Sequence, residues 1–68
     1  MDYETMFTRK AAENAMDAAQ SRISNSGGHE QDQGTLNNLR NDFKGLDTAQ
    51  APDGAYGLIQ STAESLGN

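Results

Sequence analysis

Phe7-Thr8-Arg9-Lys10-Ala11-Ala12-Glu13-Asn14-Ala15-Met16-Asp17-Ala18-Ala19-Gln20-Ser21-Arg22-Ile23 is the stretch that decides the fold. At about 100° per residue, Phe7, Ala11, Ala12, Ala15, Met16, Ala18, Ala19 and Ile23 fall on one half of a helical wheel, and Arg9, Lys10, Glu13, Asn14, Asp17, Gln20 and Ser21 on the other. The pattern predicts an amphipathic helix from about Tyr3 to Ser24. Asp2 is the candidate N-cap, and Asn25-Ser26-Gly27-Gly28 the stop. The apolar face is mostly alanine, which admits close approach of another helix but contributes little burial per residue. Such a face suits tight pairing better than a thick core.

The rest of the chain supports an all-α class. Valine is absent, Ile23 and Ile59 are the only β-branched apolar residues, and alanine occurs nine times. Strands favour β-branched and aromatic residues in alternation, whereas alanine is the strongest helix former. Residues 25–34 are polar, bounded by glycine and without periodicity, and read as a flexible loop. A second helix is expected from Thr35, with Leu36, Leu39, Phe43 and Leu46 at spacings of three, four and three, weakened near its end by Gly45. A third is expected after Pro52, with Asp53 as N-cap and Ala55, Leu58, Ile59, Thr62, Ala63 and Leu66 on one face before Gly67. The chain thus divides into an N-terminal amphipathic helix (1–24), a flexible polar loop (25–34) and a short helical pair (35–68). Either three helices close one small core, or two helices carry a docking arm.

A chain of 68 residues without cysteine has one domain at most and little burial to stabilise it. That favours a binding or structural role over a self-contained enzyme, whose site needs walls and supporting residues. Ten acidic residues stand against five basic ones, for a net charge of −5. The cations Arg9, Lys10, Arg22, Arg40 and Lys44 are scattered, and nothing after Lys44 is positive. Nucleic acid and anionic membranes are disfavoured as partners, since both call for a basic footprint. No apolar run is long enough to span a membrane, and Met1-Asp2-Tyr3-Glu4 lacks the basic-then-apolar pattern of a signal peptide. The expected location is the cytoplasm or the interior of an assembly such as a virion.

Chemistry has few candidates. His29 lies beside Glu30 and Asp32 in the polar stretch, but one histidine and two adjacent carboxylates on a glycine-bounded segment do not define a metal geometry. A nucleophilic triad needs a histidine held by a third group, and a rigid setting for that is missing. If Gly54 were the sixth position of a calcium loop, the first, third and twelfth would be Ala49, Ala51 and Gln60, which removes two oxygen ligands and the bidentate glutamate. No metal or cofactor is expected.

The most specific local signal is Gly54-Ala55-Tyr56-Gly57-Leu58-Ile59-Gln60, followed by Thr62-Ala63-Glu64-Ser65-Leu66-Gly67. It resembles the Gly-Ala-x-Gly-Leu-x-Gln segment of soluble lytic transglycosylases and goose-type lysozymes, which continues to Thr-Ala-x-x-Leu-Gly and leads into a helix lining a peptidoglycan cleft. The opening Tyr3 to Asn14 is also similar to the helix that often precedes the catalytic helix of that family. The resemblance covers residues 54–67 and implies a wall-binding segment with Tyr56 and Gln60 as contacts. The family's acid is a glutamate in a Glu-Ser pair upstream; here the interval Leu36 to Pro52 holds Asp42 and Asp47 but no glutamate. Without that proton donor the resemblance implies binding to cell wall and no cleavage.

The sequence is therefore read as a non-enzymatic, acidic, small helical protein acting through protein–protein contacts or self-association. It would serve as a minor structural subunit of a larger assembly such as a bacteriophage virion, or as a small adaptor or inhibitor. The expected contact residues are Phe7, Ala11, Ala15, Met16 and Ile23 on the first helix and Leu36, Leu39, Phe43 and Leu46 on the second. The shortage of burial is expected to be met by another chain along the first helix, so that the isolated protein would be poorly helical or oligomeric. A transglycosylase-like remnant that binds cell wall is the rival reading. An acidic decoy acting through Asp42, Asp47 and Asp53 is a third.

Overall fold

Twenty-four helical residues at 1.5 Å each span about 36 Å, and the longest dimension of the computed structural model is 39 Å. The first helix, α1 (Tyr3–Ser26), is therefore the spine on which the other two lie. The structure describes residues 3–27, 29–47 and 49–67, with side chains from residue 6 onward. Among them α2 covers Glu30–Gly45 and α3 covers Ala55–Glu64, and no strand occurs. The protein is a small all-α globule.

Each helix end has a local cause, and several differ from the sequence reading. α1 runs on through Asn25 and Ser26 to Gly27, whose N–H bonds to the Ile23 carbonyl at 3.2 Å. The expected ten-residue loop at 25–34 is a correction: α2 starts at Glu30, five residues before Thr35, so Gly27 to His29 is the whole connection. Glu30 and Asp32 lie in the first turn of α2, where carboxylates oppose the positive end of the helix dipole. Gly34 is carried inside the helix at a cost of about 1 kcal/mol relative to alanine. α3 begins one residue later than expected, with Gly54 rather than Asp53 as its N-cap and no side-chain cap. The Asp2 cap lies outside the described residues.

Long-range bonds fix the directions. Arg9 near the start of α1 stacks over the Phe43 ring near the end of α2, with 4.9 Å from Cζ to the centroid. Gln20 and Gln33 exchange amide bonds of 2.8 and 3.0 Å, and Arg40 donates to the Gln20 Oε1 at 2.9 Å. α2 therefore runs antiparallel to α1. The side chain of Arg22, late in α1, reaches the end of α3, so α3 runs parallel to α1.

One core unites the three helices. Ala12, Met16, Ala19 and Ile23 of α1 meet Leu36 of α2 and Tyr56, Ile59, Ala63 and Leu66 on and just after α3, with Ala15, Leu39, Phe43, Leu46 and Ala51 packed around them. Within the chain itself, α3 lies on the alanine-rich face of α1. Fully buried Ala12, Ala19 and Ala63 put small side chains on both helices, which is what lets them approach closely.

The C-terminal end of α3 is held from outside. α3 has no basic residue in its last turn. Arg22 supplies one, donating from Nε to the Leu66 carbonyl and from Nη2 to the Ala63 carbonyl, both at 2.9 Å, and to the Glu64 carbonyl at 3.5 Å. Asp32 of α2 accepts the Gly67 N–H at 3.0 Å. Gly67 itself has φ 74°, and a Cβ there would meet the Arg22 Cβ at 2.9 Å and the Ile23 backbone nitrogen at 3.2 Å, so glycine is required by both conformation and space.

Hydrogen bonds to a charged donor contribute about 1.5–3 kcal/mol, so Arg22→Met should cost about 2 kcal/mol while preserving the side chain's apolar stem. Thermal denaturation followed by circular dichroism should register a fall of roughly 10 °C in Tm. An unchanged Tm would show that the cap is dispensable.

Candidate functional site

The residues singled out from sequence separate into two groups once the helices are packed. Met16, Ile23 and Leu36 are buried inside the chain, and Ala11, Ala15, Leu39, Phe43 and Leu46 are half-buried. Seven of these eight, all but Ala11, form or pack against the chain's own core. Phe7 is the exception, at 77% exposure.

Helix geometry explains the difference. The core stripe of α1, Ala12-Met16-Ala19-Ile23, has a spacing of four, three and four and a well-defined centre. Phe7 lies roughly 150° around the helix from that centre. It shares the apolar half of the wheel with the core stripe only at that half's edge, because alanines widen the half on both flanks. Phe7 therefore points away from α2 and α3. Met6 beside it is 51% exposed. The two put a large apolar surface on the first turns of α1, bordered by Arg9 and Lys10, which lie 3.9 and 4.0 Å from the two Glu13 carboxylate oxygens. Leu58, on α3, is the other large exposed apolar side chain among the described residues, at 70%.

The wall-binding candidates divide likewise. Tyr56 is 4% exposed, with its ring edge-on to Phe43 at 5.7 Å and 65°. Its hydroxyl is buried without a hydrogen-bond partner among the described residues. A sugar could reach Tyr56 only by displacing core side chains. Gln60 is half-buried. The segment that resembles the transglycosylases thus packs its tyrosine inward and leaves Leu58 outside.

Ionisable side chains are spread over the surface. His29 Nδ1 is 3.5 Å from the Asp32 Oδ2 that also accepts from Gly67, so this pair belongs to the end of α3. Among the described residues, no three His, Cys, Asp or Glu side chains converge as metal ligands, and no helix is long and apolar enough to cross a membrane. No charged side chain among them is buried. The chain matches no family model, no curated protein and no solved structure.

Phe7 and Tyr56 yield opposite expectations for stability. Phe7→Ser removes an exposed side chain and should change unfolding free energy by no more than about 0.5 kcal/mol. Tyr56→Phe keeps the ring and deletes the orphaned hydroxyl, so it should be neutral or stabilise by about 1 kcal/mol. Urea denaturation of the two variants beside the wild type tests both; a marked loss in either would show that the side chain makes an interaction beyond those described.

Proposed function

We propose that this is a non-enzymatic helical protein that acts by protein–protein contact through the outward face at the start of α1, centred on Phe7 with Met6 beside it. The observation that carries the reading is the 77% exposure of a phenylalanine, with Met6 beside it 51% exposed, on a helix that encloses Met16 and Ile23. Solvated phenylalanine gains nothing for the fold. Buried by a partner it becomes the kind of aromatic anchor around which binding energy concentrates. Arg9, Lys10 and Glu13 then form the polar rim that sets orientation.

The non-enzymatic part of the reading is supported by where the charges lie. Catalytic acids and bases are tuned by burial and neighbouring charge, and the described charged side chains and His29 are at or near the surface. A minor subunit of a larger assembly, such as a bacteriophage virion, fits a small acidic protein with one protruding anchor, as does an adaptor or inhibitor. The cell-wall reading has less support, because its aromatic contact, Tyr56, is committed to the core.

A photo-reactive phenylalanine analogue at position 7 would test this in the native source. It should crosslink to one defined protein, and the same analogue at Leu58 should not. With that protein purified, Phe7→Ser should weaken binding by about tenfold or more, a hot-spot effect, while leaving the melting curve unchanged. Equal affinity of wild type and Phe7→Ser would reject the Phe7 face as the contact.

A further inference from the structure

The turn that leads into α3 carries a dipeptide with chemistry of its own. Pro52, Asp53 and Gly54 are all exposed, and the Pro52 carbonyl accepts the Ala55 N–H at 3.1 Å. With Gly54 at φ 82° and ψ −1°, this is a type II turn having Asp53 and Gly54 as its central residues. Neither the Asp53 carboxyl nor the Gly54 N–H has a hydrogen-bond partner among the described residues. We propose that Asp53–Gly54 is a site of spontaneous backbone modification, in which the Gly54 nitrogen closes on the Asp53 side chain and converts the aspartate to isoaspartate.

The step is self-contained. The Gly54 backbone nitrogen attacks the Asp53 carboxyl carbon, Cγ; a C–N bond forms, the nitrogen loses its proton, and one carboxyl oxygen leaves as water. Water then opens the five-membered imide at either carbonyl. Opening at one regenerates aspartate, and opening at the other leaves the chain running through the side-chain carbon. Glycine is the residue that makes this accessible, because no Cβ shields its nitrogen.

Four of the other aspartates are natural controls. Asp17, Asp32, Asp42 and Asp47 precede Ala18, Gln33, Phe43 and Thr48, each with a side chain. Asp32 is further held by Gly67, and Asp47 by the Ala49 N–H at 3.0 Å. The type II turn also regulates the reaction. It holds the Asp53 ψ near about +120°, and cyclisation has to swing that angle round, breaking the single hydrogen bond that closes the turn. Conversion adds a carbon to the backbone three residues before Tyr56, whose buried ring packs edge-on against Phe43. The modified chain can no longer deliver α3 to the core in register.

Purified full-length protein is incubated at 37 °C in mildly acidic to neutral buffer, and isoaspartate is located by electron-transfer fragmentation. Roughly an order of magnitude more is expected at position 53 than at any of the four controls, as glycine's missing Cβ implies. Asp53→Ser should remove that signal and leave the others. The isoaspartyl form, separated by reversed-phase chromatography and refolded, should show faster amide exchange through Ile59 to Ala63 than a wild-type sample taken through the same steps. Isomerisation at 53 no faster than at the controls overturns the assignment of the site. Selective isomerisation with unchanged exchange overturns the claim that the turn sets the register of α3.

Discussion

The parallel seating of α3 on α1 is the contact on which the rest of the structure depends. α3 is ten residues long, and helices that short are not stable alone in water. It also has no acidic residue in its first turn, no basic residue in its last and no side-chain N-cap. Its persistence is therefore tertiary. Arg22 provides the positive charge that α3 lacks at its C-terminal end, Asp32 binds the backbone just beyond, and Gly67 lets the chain lie directly against Arg22 and Ile23. The dependence is mutual, because α3 and the residue pair behind it contribute Tyr56, Ile59, Ala63 and Leu66 to the buried core. Removing α3 would leave the alanine face of α1 open to water.

That arrangement gives a physical meaning to the uneven charge distribution. All five cations precede residue 45, and the last third of the chain has only Asp47, Asp53 and Glu64. An isolated C-terminal segment of that composition would have uncapped carbonyls at its helix end. Folding back to Arg22 satisfies them. The polar clasp of Gln20, Gln33 and Arg40 has a parallel role between α1 and α2, where burial is thin and Leu36 is the one fully buried side chain of α2. Paired amides and a guanidinium restrict which register the two helices adopt, since a shift by one residue would leave part-buried donors unmatched.

The all-α class, the existence of three helices and the stripe from Met16 to Ile23 were legible because periodicity and alanine content are local properties. The start of α2 was not. Glycines and a run of polar residues read locally as a loop, yet Asp32 and Gln33 are held by Gly67 and Gln20, partners 35 and 13 positions away. The outward direction of Phe7 was not legible either, for a different reason. With alanines on several faces of α1, hydrophobicity alone does not locate the centre of the buried stripe, and only the positions of α2 and α3 do. The buried stripe of α1 is covered within the chain, by residues of α2 and α3 whose placement periodicity alone does not give.

Narrowing the contact surface has consequences for what kind of partner fits it. A long alanine face would have called for a helix lying along α1, whereas an exposed Phe7 flanked by Met6 at one end of the molecule calls for a pocket that receives an end. The charges there point the same way. Arg9 is shared between the Phe43 ring and Glu13, so its orientation is set by the fold rather than left to solvent. A side chain already ordered loses less freedom when a partner arrives. Met6 supplies the complementary property: an unbranched thioether adapts its shape to whatever surrounds the phenylalanine. Under the contact proposed above, an aromatic anchor with an adaptable neighbour suits a surface with a recessed apolar patch.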